Sequence, residues 1–202
     1  MLSPYKVVVD KECRSAYQAR NSQFLTNRAG ASEAKRQQKE ANLEQYTQQP
    51  FYTRKMFENE LAFIDSLTLR NYVAYVAREY IAHRLYRPYK IKPRLVLVST
   101  ATLESSPNAY KEQAEQSKAD FIVNFPVINV KQGKAGLQVQ TVTELYSRKQ
   151  SAIVLKDKQT GTLTEEPTEY PMYEPGQPDW AFVHSVYENI RKCIVLIAES
   201  RK

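Results

Sequence analysis

Between Asp120 and Lys156 the chain carries a pattern that only a β-sheet satisfies. In Leu137–Tyr146 the residues Leu137, Val139, Thr141, Thr143 and Leu145 fall on one side, and Gln138, Gln140, Glu144 and Tyr146 on the other, with Val142 among them. A period of two is the signature of a half-buried strand. Phe121–Val130 is apolar on both sides, which predicts a central strand covered on each face. Pro126 has no N–H to give a ladder, so a bulge or an unpaired position is expected there. Ser151–Lys156 supplies the third strand. The connection Lys131–Gly136 is short and holds two glycines free to take positive φ, which predicts an antiparallel hairpin. A second short polar connection follows at Ser147–Gln150, and Gly161 ends the last strand.

The rest of the chain reads as cover for this sheet or insertion into it. Tyr5–Asp10 is a short β-branched strand that Asp10 can stop. Asn27–Gln49 has helix formers but almost no apolar stripe, so it is expected as an exposed helix or mobile insertion ended by Pro50. It is either a docking arm for a partner or an insertion with no dedicated role. Leu69, Tyr72, Val73, Val76, Tyr80 and Leu85 mark a core-facing helix over roughly Leu67–Leu85, ended by Pro88, with His83 in its last turn. Arg94–Ser99 predicts a buried strand. Ser106 and Pro107 open a surface helix, Asn108–Lys118, with Ala109, Tyr110 and Ala114 inward. Residues 164–178 hold four prolines among Glu165, Glu166, Glu169 and Glu174 and predict irregular backbone. Asp179 caps a final helix, Trp180–Glu199, whose stripe runs through Phe182, Val186, Ile190, Ile194 and Ile197. The expected fold is α/β (α+β): a single domain over 1–202, with a polar insertion at about 10–60. Its mixed sheet has about five strands, including an antiparallel three-strand meander, and helices pack on it.

The 202 residues are 42% hydrophobic, enough for one core. The longest uncharged apolar run, Cys193–Ala198, is far shorter than the roughly 20 residues a bilayer-spanning helix needs. Met1-Leu2-Ser3-Pro4 shows no signal peptide. Cys13 and Cys193 are too few for a disulfide framework and read as two buried thiols or, alternatively, as a single pair. The net charge of +7 is uneven: residues 1–99 hold 17 Lys and Arg against 9 Asp and Glu, and residues 100–202 hold 12 against 13. A basic first half suits an acidic partner, nucleic acid or an anionic surface, or else a dispersed solvated exterior.

Most chemistries lack their residues. His83 and His184 stand about 100 residues apart, and no paired Cys or His spacing for zinc is present. There is no G-x-G-x-x-G, P-loop or G-x-S-x-G, and five glycines in all leave little for a phosphate cradle. Neither metal, cofactor nor catalytic residue is expected. The one candidate surface is Arg84, Tyr86, Arg87, Tyr89, Lys90, Lys92 and Arg94, where aromatic and basic residues interleave in a way that suits base stacking with phosphate contacts. The plainer reading is a helix-to-strand connection whose cations face water.

The order strand, insertion, helix, strand, helix, three strands, helix resembles the N-terminal domain of TolB and the related CsgG-like envelope proteins. The most similar pieces are Ala119–Val123, Val139–Tyr146 and Lys158–Gly161. The family pattern there is a Gly-Ala-Asp entry into a strand, a strand ending Leu-Tyr-Asp, and a Thr-Gly turn. Lys118 stands in place of the glycine and Ser147 in place of the aspartate, and the insertion is longer than the family's. The resemblance covers about residues 67–199. It implies a non-catalytic, periplasmic or outer-membrane-associated component that binds other envelope proteins, as an oligomer or as a lipoprotein without its anchor. A basic nucleic-acid-associated module is the alternative.

Overall fold

The computed structural model describes residues 2–3, 6–41, 58, 62, 65, 68–91, 98–134, 136–162 and 180–200. In chain order the elements are β1 (Leu2–Ser3), β2 (Lys6–Val9), α1 (Arg14–Ala41), α2 (Leu69–Tyr89), β3 (Val98–Thr102), α3 (Pro107–Ser117), β4 (Phe121–Gly133), β5 (Gly136–Ser147), β6 (Ala152–Thr162) and α4 (Trp180–Glu199). The mixed α/β class stands. The strands form a four-stranded sheet, β2-β4-β5-β6, and a two-stranded parallel pair, β1-β3, rather than one sheet of five. Pro4, with no N–H, stands between β1 and β2 in sequence.

β4 lies between β2, which runs parallel to it, and β5, which runs antiparallel. Its register with β5 shifts between Asn124 and Val127, around Pro126, where a residue without an N–H interrupts the ladder. The β4–β5 turn closes on the pair Gly133↔Gly136. Positive φ is not what Gly133 supplies. It supplies room, because a Cβ there would sit 2.4 Å from the Cδ of Gln138.

One face of the sheet carries α4 and α2. Phe125, Ile128, Val139 and Leu145 from the strands pack with Ile81 and Leu85 of α2 and Ile190 of α4. The other face carries α3, whose Tyr110 and Ala114 cover Ile122 and Tyr146. Central β4 is thus covered on both sides, and a helix with two inward residues is enough for the second.

Several boundaries depart from the sequence reading. The expected helix-or-insertion at Asn27–Gln49 is the later part of α1, which begins at Arg14; residues 42–49 lie outside the described residues. Its inward side starts at Cys13 and passes Tyr17 and Phe24 into the main core. α2 runs through Pro88 and ends at Tyr89, so His83 is not in its last turn. A proline near a helix end removes one hydrogen bond but keeps a helical φ. The stop is Lys90 at φ 57, whose N–H bonds Tyr86 O at 3.0 Å. Val73, Ala74, Ala77, Ile81 and Leu85 are buried on α2, whereas Tyr80 is half-buried. The strand expected at Arg94–Ser99 is described only from Val98 and continues to Thr102; residues 94–97 lie outside the described residues, as does the loop 164–178.

α3 also ends on a left-handed residue, Lys118 at φ 52 and ψ 36, with Ala119 N–H bonding Ala114 O at 2.9 Å. A side chain in this region costs about 1–2 kcal/mol, and glycine costs about 0.5–1 kcal/mol in chain entropy. Lys118→Gly should therefore raise the unfolding free energy by up to about 1 kcal/mol, read by urea denaturation. A loss of stability would mean that the lysine side chain contributes more than the backbone strain costs.

Candidate functional site

Three residues line up across the sheet on the face beneath α3. Asn124 of β4 faces Glu144 of β5, and Glu144 faces Lys156 of β6. The period of two puts them on one side with Ile122 and Tyr146. Over them lies α3, and the loop from β3 brings Ser105 to the same place. Glu144 is 0% exposed.

Its carboxylate is held by donors from three segments. Ser105 Oγ donates toward Oε1 at 2.8 Å and Oε2 at 2.7 Å. Tyr110 OH donates to Oε2 at 2.6 Å. Lys156 Nζ pairs with Oε1 at 2.7 Å. Asn124 Nδ2 donates to Tyr110 OH at 2.7 Å and to Leu103 O at 3.1 Å, so Tyr110 both accepts and donates. Burial alone would push the Glu144 carboxyl up, but the bonds from Lys156, Tyr110 and Ser105, with the Lys156 charge, outweigh it and hold the pKa below the usual carboxylate value. Burial and the neighbouring carboxylate drive the Tyr110 hydroxyl well up, despite the bond from Asn124. Asn124 Oδ1 is buried without a hydrogen-bond partner among the described residues.

The carboxylate thereby ties the loop after β3, α3 and β6 to β5.

The other polar groups of the core serve packing in the same way. Thr141 Oγ1 and Ser185 Oγ are 2.6 Å apart, and Asn189 Nδ2 donates to Thr141 O at 3.2 Å. Lys192 pairs with Asp157. Cys13 and Cys193 are free and buried. Burial, with Asp157 nearby, pushes the Cys193 thiol up to about 12, and burial with Asp10 and Glu12 raises Cys13. Neither is a thiolate at neutral pH. Among the described residues no group of three or more His, Cys, Asp or Glu could hold a metal ion, and no helix is long and apolar enough to cross a membrane.

The basic–aromatic candidates lie elsewhere, at the end of α2. Tyr86, Tyr89 and Lys90 are exposed, and Arg84 is half-buried with its guanidinium 5.3 Å from the centre of the Tyr80 ring. Tyr80 in turn packs on Tyr187 of α4, ring centres 4.8 Å apart. The Lys90 ammonium lies 6.0 Å from the Tyr86 ring centre. Lys92, Arg94 and the Arg87 side chain lie outside the described residues. Sequence reasoning missed the Glu144 cluster. The available signal was that a strand apolar on both sides needs cover on both, which places its neighbour's polar face under that cover as well.

No family model, curated protein or solved structure matches the chain.

The sign of the Glu144 contribution follows from its lowered pKa. The stabilisation is complete above the unfolded carboxylate value and is lost as pH falls through it toward the folded value. Wild-type unfolding free energy should therefore fall below about pH 5, and Glu144→Gln should flatten that fall. At neutral pH the substitution should cost about 1.5–3 kcal/mol. This is less than for a fully buried pair, because Lys156 is 63% exposed and stays hydrated. Urea denaturation at a series of pH values reads both. An acid limb unchanged in the variant would show that Glu144 is not its source.

Proposed function

We propose that this protein is a non-catalytic assembly component of a bacterial cell envelope, working by binding other proteins. The observation that carries this reading is the strand–helix order together with the residues at its junctions. The glycine of the Gly-Ala-Asp pattern falls at Lys118, a residue in the left-handed conformation that glycine adopts most cheaply. The aspartate of Leu-Tyr-Asp falls at Ser147, whose Oγ accepts the Gln150 N–H at 3.4 Å. That is the turn-capping role an aspartate takes at such a place. Asp120 meets the same turn, with Arg148 N–H on its carbonyl at 2.9 Å and Arg148 Nη2 on its carboxylate at 2.7 Å. The replaced residues thus keep the backbone geometry that the motif residues would serve.

The ties that Glu144 makes to Ser105, Tyr110 and Lys156 support a scaffold role, because they join a loop, a helix and a strand to β5. Periplasmic or outer-membrane residence rests on the resemblance alone.

Fractionation of the source cells, with crosslinking before lysis, tests the proposal. The protein should be found in the periplasmic or outer-membrane fraction and shift into a discrete crosslinked species of higher mass. Recovery as an uncrosslinked protein of the cytoplasmic fraction would overturn it.

A further inference from the structure

We propose that the sheet face beyond α3 is a docking surface for an acidic amphipathic helix of a partner protein. Val8, Val127 and Val142 meet the apolar stripe of that helix, and Lys6 and Lys158 meet the carboxylates on either side of it. The inference rests on the reading that this protein works by binding other proteins, and it names the surface and the chemistry of the partner.

The ladder fixes which residues share this face. Lys6 of β2 stands opposite Val127 of β4, Val127 opposite Val142 of β5, and Val142 opposite Lys158 of β6. The next rung reads Val8, Asn129, Gln140 and Thr160 in the same strand order. All of these residues are half-buried or exposed. Val7, Ile128 and Val130, which alternate with them, go to the main core on the opposite face. α1, α2 and α4 contribute to that core, and α3 covers this face only at Ile122 and Tyr146. Val8, Val127 and Val142 belong to neither apolar cluster of the described residues. They form one diagonal strip, because Val127 and Val142 are direct cross-strand neighbours and Val8 is one rung along on β2.

Charge and width select the occupant. Lys6 and Lys158 are exposed, and among the described residues neither is paired with a carboxylate. The two rungs carry no Asp or Glu, and Glu144, on the rung under α3, is buried and held by Lys156. The two lysines end one rung, three strand spacings or about 14 Å apart. An α-helix with its side chains is about 10–12 Å across. A helix laid along the strands therefore fits between them, with its apolar stripe on the valines and acidic side chains beside the lysines. A single-stranded nucleic acid would need aromatic rings to stack on, and the two rungs have none. An anionic membrane takes large side chains that insert, whereas here short valines share the surface with Asn129, Gln140 and Thr160. A second copy in a two-fold contact would bring lysines together with no carboxylate between them. A patch of this size gives a transient contact rather than a permanent one.

Fluorescence anisotropy of the full chain with a labelled designed peptide tests this. The peptide has about 18 residues, about five helical turns, with a Leu stripe flanked by Glu. Binding should saturate in the micromolar range and weaken with salt. Lys6→Glu combined with Lys158→Glu should weaken it at least about tenfold. Val142→Thr, which keeps the shape of valine, should weaken it about fourfold. Lys149→Gln, an exposed cation of the β5–β6 turn, should change nothing, and a peptide with Ser in place of Leu should not bind. The lysine variants alter exposed side chains only, so the test survives a misfolded Val142→Thr. The proposal fails if the Leu peptide does not bind at low salt, if the Ser peptide binds equally, or if Lys149→Gln is as damaging as the lysine pair. It fails equally if the lysine pair matters only for oligouridylate or phosphatidylglycerol vesicles, or if it dissolves a dimer seen by sedimentation. It fails too if the peptide binds only once Glu165, Glu166, Glu169 and Glu174 are changed to Gln, since the chain's own acidic segment then holds the face. Failure here leaves the assembly reading standing. Recovery from the cytoplasm without crosslinks sinks that reading and leaves the peptide measurement intact.

Discussion

A carboxylate withdrawn completely from water has to be satisfied by protein groups, and Glu144 draws those groups from three parts of the chain. Ser105 comes from the loop after β3, Tyr110 from α3 and Lys156 from β6. Each of these segments is thereby fixed against β5. The bond from Asn124 to Tyr110 adds β4 to the same network. A one-residue slip of β5 would turn Glu144 to the opposite face, among the side chains that pack under α2 and α4, and bring Leu145 under α3. An unpaired charge in that apolar layer would cost several kcal/mol. The cluster therefore acts on register and layer order more than on total stability, since a well-packed apolar replacement of an ion pair is often no less stable.

The two faces of the sheet solve the burial problem differently. Under α2 and α4 the core is hydrocarbon, with a narrow polar seam where Thr141 meets Ser185 and Asn189. Under α3 the apolar cluster is small, four buried residues, and the polar network sits beside it. Burial of Tyr110 and Ala114 is one part of what holds α3 down. At roughly 1.5–3 kcal/mol for a fully buried large side chain, the charge-assisted bonds of Tyr110 and Ser105 are of comparable weight. α3 is thus held by polar ties as much as by its apolar side.

The parts of the fold written in periodicity were legible. The strand alternation at Leu137–Tyr146, the interruption at Pro126 and the bounds of the last helix all come from side-chain size and backbone chemistry acting locally. What was not legible depends on partners distant in sequence. The inward stripe of α1 passes from Cys13 and Tyr17 to Phe24 through half-buried Arg20 and Arg28 and reaches buried Ser32. Its spacing is helical but its chemistry is half polar, so hydrophobicity alone hides it. Pro88 looked like a stop because proline usually ends helices, yet the backbone turns two residues later. The same blindness applied to Glu144: alternation sends it away from the main core, and only the second cover makes that side an interior. Of the basic–aromatic surface, the residues were visible in the sequence. Their exposure, and the turn at Lys90 that presents them, were not.

Among the described residues, those outside glycine with positive φ are Lys90, Lys118 and Ser151. Each lies at the end of an element or in a turn, and each is held by neighbouring backbone bonds. Ser151 N–H and its hydroxyl both reach Arg148 O, at 3.2 and 3.4 Å, and Lys90 is followed by a bond from Ile91 N–H to Leu85 O at 3.2 Å. The surrounding structure therefore dictates these conformations, and the side chains there only tolerate them. Glu144 is the converse case: its backbone is ordinary strand, and the side chain makes the demands. Conformational strain sits at the junctions, where glycine could relieve it without moving an element. Specificity sits in the rung Asn124–Glu144–Lys156, whose first two members are buried and where a change at Glu144 leaves its partners unpaired. Junction substitutions should therefore shift stability within the same fold, whereas substitutions in the rung act on which residue of one strand faces which of the next.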